Sequence, residues 1–351
     1  MLLRSAARAA LYVLGVAALV LTSGCSVRLA TPEPEVPLAD EAERLRQSAA
    51  RTSAELARLA EGVAAADVDE ATRRAARAVG EASMQHVAAL GGVWEPWPGA
   101  GPEATAYPAD PTETPSAGRS PDDPTDAPSP GYSPAAPTTA ANDLAAALHQ
   151  GITEARDQAI AASSSAAAEL YGAIAVRRLW AGHDLAAALG EPAPAPPAPP
   201  DPDELAALFD ASLAARVDGA RFAFEVVAAR SQGDQRQSAL ERVAELEQLA
   251  AQASTDVTAP VYDVQAPVRE APTASSEAAS SATAALAAQA ELDVLAALVA
   301  AIGPAPSAAR DGVLAAAERA ALAARSWGAE PPPLPGLQAW AEEEPAPVGT
   351  D

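Results

Sequence analysis

Apolar residues recur at helical spacing in several separate stretches of this chain. From Asp40, a candidate N-cap, Leu45, Ala49, Thr52, Leu56, Leu59 and Val63 step by alternating fours and threes, which places them on one face of a helix. Glu41, Glu43, Arg44, Arg46 and Arg58 lie off that stripe. A second helix is predicted from Asp69 to Leu90, with Val79, Ser83, Val87 and Leu90 on one side and Gly91-Gly92 as its stop. Residues 40–92 thus read as an N-terminal helical pair. A second helical segment, 142–190, carries Leu144, Leu148, Ala155, Ala159, Ala162, Ala166, Leu170 and Ala173. Gly151, Gly172 and Ser163-Ser164-Ser165 weaken it enough to predict a kink or two shorter helices. Gly182 is read there as a C-cap, followed by a short turn from Asp184 to Leu189.

The last stretch, 203–328, reads as four helices. The first has the best stripe of the chain: Leu205, Phe209, Leu213, Val217, Ala220, Phe224 and Val227. The second, Asp234 to Ala253, points Leu240, Val243, Leu246 and Leu249 inward, and the third, ending at Ile302, presents Leu292, Leu295 and Val299. The fourth runs from about Ser307 to Trp327. Short connections at 231–233 and 303–306 make antiparallel neighbours, while a long crossing from Ser254 to Pro272 joins the two hairpins. Its nearest approach to a strand is Pro260-Val261-Tyr262-Asp263-Val264. One crossover between two hairpins is the connectivity of a ferritin-like four-helix bundle. The fold class expected is therefore all-α: a C-terminal bundle preceded by additional long helices.

Between the helical stretches the pattern vanishes. Residues 25–39 form a short Pro-containing tether, 93–141 an acidic Pro-rich linker, 191–202 a Pro-Ala run suited to polyproline II, and 329–351 a tail. Pro96 to Ala140 holds twelve prolines and almost no aliphatic residue, so it cannot bury enough surface to offset its ordering entropy and is expected to be disordered.

Composition explains why the cores should be thin. Of 351 residues 97 are Ala, whereas Leu, Ile, Val and Phe together make up about 18%. Alanine favours helix and buries little apolar area, which excludes β-sandwiches, TIM barrels and dense α/β cores. All 23 basic residues are Arg, and the net charge of −24 argues against nucleic acid as a partner. A single cysteine allows no intrachain disulfide and no cysteine-based metal centre.

That cysteine defines the N-terminal segment. Arg4 and Arg8 precede an apolar run from Ala9 to Leu21, and Thr22-Ser23-Gly24 leads to Cys25. A run of about 13 apolar residues ending in small residues is a secretory signal and is short for a membrane span. A lone Cys at that place resembles the bacterial lipobox, although Thr22 stands where Leu is usual. The resemblance implies that 1–24 is a lipoprotein signal peptide and that Cys25 is the lipidation site, anchoring the chain to the outer face of the cell membrane.

Three phrases of the C-terminal stretch point to a family. Arg221-Phe222-Ala223-Phe224 with Ala228-Ala229-Arg230, the Pro260–Val264 phrase, and Arg325-Ser326-Trp327-Gly328 resemble the actinobacterial ferritin-like lipoproteins grouped as a domain of unknown function. Leu90-Gly91-Gly92-Val93-Trp94 is similar to the N-terminal part of such lipoproteins. This family places a Glu-His pair in its first helix, and Val217-Asp218 stand at the corresponding place here.

Ferritin-like bundles suggest di-iron chemistry, which uses Glu-x-x-His pairs. No such pair exists here: the residues three before His86, His149 and His183 are Ser83, Ala146 and Trp180. A carboxylate-only site would have to come from Asp218, Glu225, Glu245, Glu277, Glu291 and Glu318. Asp218, Arg221 and Glu225 instead read as a solvated ion-pair column, Glu241 and Glu245 as a solvated face, and the three histidines as surface residues. Trp94, Trp97 and Trp180 are expected to cap a thin core. Phosphate-loop, Gly-x-Ser-x-Gly and His-Glu-x-x-His motifs are absent. The expectation is a cell-surface lipoprotein with no catalytic, cofactor or metal residues. It would act as a non-catalytic helical scaffold or interaction module for a protein partner in the cell envelope. The alternative is a metal-handling or small-ligand-binding ferritin-like envelope protein.

Overall fold

The structure, a computed structural model, describes residues 39–94, 137–200, 210–250 and 276–337. The signal segment with Cys25, most of the tether and the acidic linker, the Pro260–Val264 phrase and Trp97 lie outside the described residues. All regular structure among the described residues is α-helix: α1 Glu41–Ala65, α2 Glu70–Ala89, α3 Pro137–Ala161, α4 Ser165–Leu189, α5 Ala211–Arg230, α6 Gly233–Ala250, α7 Ser276–Ile302 and α8 Ser307–Ser326. The chain is all-α, as its periodicity predicts.

The starts of the helices follow from their caps. Asp40 accepts from the Glu43 amide at 2.8 Å, and Asp69 accepts from Ala71 and Thr72 at 2.9 and 3.0 Å. Asp210 does the same for Leu213 at 2.8 Å, and Ser164 caps α4 through Ala167 at 3.2 Å. Each satisfies an amide the first turn would leave orphaned. The 142–190 segment is therefore two helices, broken at the serine run. Its first helix begins at Pro137, five residues ahead of the expected boundary, because proline's fixed φ and missing N–H suit a first helical position.

Gly182 is not a cap. It is buried inside α4, which runs unbroken to Leu189 and stops at Gly190, where φ is +69°. The Pro-Ala run then folds back along the helix it has just left. A Cβ built on Gly182 would stand 3.2 Å from Cγ of Pro194, so this glycine makes room for the returning chain.

Helices α1 to α4 pack as one group of four, with α1 on α2 and α3, and α4 on α2 and α3. In the second group α5 packs on α6 and α7, and α7 on α8. The groups meet where α4 contacts α7 and α8 and where α3 contacts α8. At this seam Arg310 of α8 donates to the C-terminal carbonyls of α3, reaching Ile160 at 3.1 Å and Ala162 at 2.6 Å. It closes the end of α3 as a lysine or arginine in its own last turn would. Alanine dominates the buried interior, and the few large side chains are spaced through it: Leu56, Leu144, Ile174, Trp180, Phe224, Leu246 and Leu298. Helix α7 is apolar enough over Ser280–Ile302 to cross a membrane by length and composition, yet here it packs as a core helix against α4, α5 and α8.

Three expectations about exposure are overturned, the first being Ala166, which the break at the serine run turns out of the stripe and leaves exposed. Leu240, read as inward, is 44% exposed, because α6 turns only Ala239 and Leu246 fully into the core. His86, read as a surface residue, is 1% exposed on the inner face of α2, one turn beyond the buried pair Ala82 and Ser83.

Candidate functional site

Each candidate carboxylate can now be placed. Arg221 joins Asp218 at 2.8 Å and also pairs with Glu225, so the ion-pair column forms on the outer side of α5. Glu277 lies on the first turn of α7. Glu245 and Glu291 come together, but through an arginine. Arg242 of α6 donates from Nε and Nη2 to the two oxygens of Glu291, at 2.6 and 2.8 Å, and from Nη1 to Glu245 at 2.7 Å. Glu291 is fully buried, so this bidentate pair supplies the hydrogen bonds its oxygens have lost from water. Burial works against the Arg242 charge, yet the pairing with Glu291 and Glu245 outweighs it and lifts the guanidinium above its ordinary pKa. Among the described residues, no three His, Cys, Asp or Glu side chains cluster as they would to hold a metal.

Glu318 sits elsewhere, on the face of α8 turned toward α3. Ala308, Asp311, Gly312, Ala315 and Glu318 form one stripe of α8, opposite His149, Ile152, Thr153 and Arg156 of α3. Leu179 of α4 and the returning prolines complete a groove of about 610 Å³. It adjoins a second hollow of about 660 Å³ between α3, α4 and the start of the Pro-Ala run, and the two share His149, Ile152, Pro194 and Ala195. Arg156 pairs through Nη1 with Glu318 and through Nη2 with Asp311, the latter at 2.6 Å. Glu318 is 1% exposed, and its Oε1 has no hydrogen-bond partner. Burial pushes this carboxyl up to about 7; Arg156 opposes the rise and Asp311 adds to it. A strongly shifted acid in a cleft is a physical mark of a functional site.

Polar groups also lie inside the α1–α4 group. Arg178 of α4 donates to Ser53 Oγ at 2.8 Å and to the Gly151 carbonyl at 2.7 Å, and Arg177 reaches the Ala78 carbonyl at 3.3 Å. Both arginines are buried, and among the described residues neither forms an ion pair with a carboxylate. Burial lowers both guanidinium pKa values, that of Arg178 to about 10. His86 Nε2 lies 2.9 Å from the Pro333 carbonyl, which can only accept, so Nε2 carries the hydrogen. Burial, reinforced by Arg178 and Arg177, depresses the His86 pKa to about 3 and keeps the ring neutral. His183 is half-buried and His149 exposed.

Sequence reasoning named Glu318 and Glu291 but not Arg156, Arg242, Arg177 or Arg178. For the last two a signal existed, since Arg177-Arg178 interrupts the run Ile174-Ala175-Val176 and Leu179-Trp180 in the most apolar part of α4. Trp180 is fully inside, and the Phe224 and Trp327 rings pack with centroids 5.8 Å apart, tying α5 to the end of α8. Comparison with known proteins finds no matching family model, curated protein or solved structure.

Proposed function

We propose that this chain is an extracytoplasmic lipoprotein, held to the outer face of the cell membrane through Cys25. Its helical body serves as a non-catalytic scaffold or interaction module for a protein partner in the cell envelope. In this reading residues 203–328 are a ferritin-like bundle without a di-iron site. Two short-linked helix pairs, α5–α6 and α7–α8, joined across residues 251–275, support that connectivity.

The observation that carries the non-catalytic reading is Arg242. A ferritin-like metal centre needs inward carboxylates with free lone pairs, and here a guanidinium already occupies both oxygens of Glu291 and one of Glu245. The anchor reading rests on the order of Arg4, Arg8, the apolar run and the lone Cys25. Cells fed a labelled fatty acid test it: label is expected in the wild-type chain and not in Cys25→Ala. Metal analysis of the purified full-length protein is expected to find no stoichiometric iron or manganese. Either metal at one or two per chain would overturn the scaffold reading. The groove holding Glu318 favours a second role, small-ligand binding, on the same body.

A further inference from the structure

The groove between α3 and α8 has one polar capacity left over. Both terminal nitrogens of Arg156 are engaged, Nη1 with Glu318 and Nη2 with Asp311. Two carboxylates therefore share one guanidinium, and Glu318 Oε1 has no donor. The floor offers Leu179, and the lid offers only prolines and alanines, none of which has a side chain able to donate. Arg156 is already taken by two carboxylates, so an anionic ligand would find only the exposed His149 to meet it in this groove. A ligand carrying an ammonium would supply the second positive charge that two carboxylates on one arginine lack, and its apolar part would have aliphatic and proline surface to cover it. The chain's net charge of −24 adds a field that concentrates cations around it.

We propose that this groove binds a small organic cation, an amine bearing a compact apolar group, with its ammonium against the Asp311 and Glu318 carboxylates and its apolar part lodged beneath the Pro194–Pro200 lid. The volume of about 610 Å³ is in the range of small-molecule sites. Beyond the Glu191 amide, which donates to Ala186 at 2.9 Å, no backbone hydrogen bond among the described residues ties the lid down. This goes beyond the scaffold reading and does not depend on the anchor.

Binding is coupled to a proton. The charged or titratable groups facing Glu318 are Arg156 and His149 from α3 and Asp311 from α8, while α4 and the lid contribute none to the groove. With the carboxyl pushed up to about 7, a bound ammonium selects the ionised form. The competent fraction, and with it the affinity, rises about tenfold between pH 6 and pH 8.

The test uses the full-length protein in detergent, with 2-phenylethylamine as probe and 3-phenylpropionate as its anionic counterpart. Saturation-transfer NMR and calorimetric titration at pH 6 and pH 8 are the readouts. The amine is expected to bind about tenfold tighter at pH 8, the propionate to show no binding, and Glu318→Gln to abolish the amine signal. Thr153→Trp fills the groove from its exposed rim while keeping Arg156, Asp311 and Glu318 themselves, and is also expected to abolish binding. It keeps the proposal falsifiable if Glu318→Gln fails to fold, which a thermal melt reveals. No amine binding to the wild-type chain at either pH, equal binding of the propionate, or binding unchanged in Thr153→Trp overturns the proposal.

Discussion

The two helix groups bury charge in opposite ways. Around α6, α7 and α8 each buried acid has an arginine: Glu291 has Arg242, and Glu318 has Arg156 from across the seam. In the α1–α4 group Arg177 and Arg178 are buried with only carbonyls and a hydroxyl for partners, beside a neutral histidine. A helix made largely of alanine leaves gaps between neighbours that long side chains can thread. Arginine does this well, because its stem packs as hydrocarbon while its planar head finds scattered acceptors. Where the threading arginine meets an acid, a fixed and mutually dependent pair results. Where it meets carbonyls, the charge is tolerated rather than specified.

The largest expected difference between the groups is their response to acid. His86 is depressed from the ordinary 6.5 to about 3, so the unfolded chain binds its proton more tightly than the folded one. Stability is therefore lost as pH falls from 6.5 toward 3, by up to about 5 kcal/mol. Glu318 has the opposite sign. Its carboxyl is raised to about 7, so its contribution is complete below the ordinary carboxylate range and is lost as pH rises through 7, by about 3 kcal/mol. Urea denaturation at pH 7 and pH 4 should show a smaller acid loss in His86→Leu than in the wild type and a larger one in Glu318→Gln. Equal losses in all three chains would erase the contrast.

Removing one member of a pair comes next. Glu291→Ala leaves Arg242 buried with Glu245 alone and is expected to cost about 3–5 kcal/mol, read as a lowered denaturation midpoint. The double replacement Glu291→Leu with Arg242→Met should recover most of that loss, since it removes both buried charges. A double variant as unstable as the single one would show that the pair is not the unit of stability. The smallest effect is expected at Arg178→Met. Gly151 keeps its place in α3, Ser53 Oγ still donates to Ala49 at 2.8 Å, and a buried cation disappears, so the change should lie within about 1 kcal/mol. A loss above about 3 kcal/mol would mean that Arg178 is as specified as Arg242.

Much of the helical layout is legible from the chain alone, for local reasons. Asp40 and Asp69 cap where an aspartate precedes an apolar stripe, and the serine run divides α3 from α4. What escapes is whatever depends on a distant neighbour. Gly182 has the local look of a stop, and only the return of Pro194 against it explains a glycine kept inside a helix. His86 has no local mark of burial, because its hydrogen-bond partner Pro333 lies 247 positions away. Glu318 is visible as one of several acids, yet its special state comes from Arg156 and from a groove three helices build together. An alanine-rich sequence aggravates this, since its stripes are so weakly contrasted that which face wins is decided by packing rather than by pattern.

The fold-back of residues 191–200 sets the direction of travel of everything after it. By reversing along α4 past Gly182 to Leu179, the chain arrives at the groove beside α8, and Pro199 and Pro200 also line a hollow with Arg242 and Glu245. The composition of 191–200 suits polyproline II, which rises about 3.1 Å per residue, so ten residues in that form would span roughly as far as 20 residues of helix. The second group is thereby delivered alongside the first, not beyond its end. Polyproline offers few amide hydrogens to a neighbouring strand, so this reversal cannot mispair into a sheet or be captured by an exposed edge. The protein steers with a rod instead of a hinge.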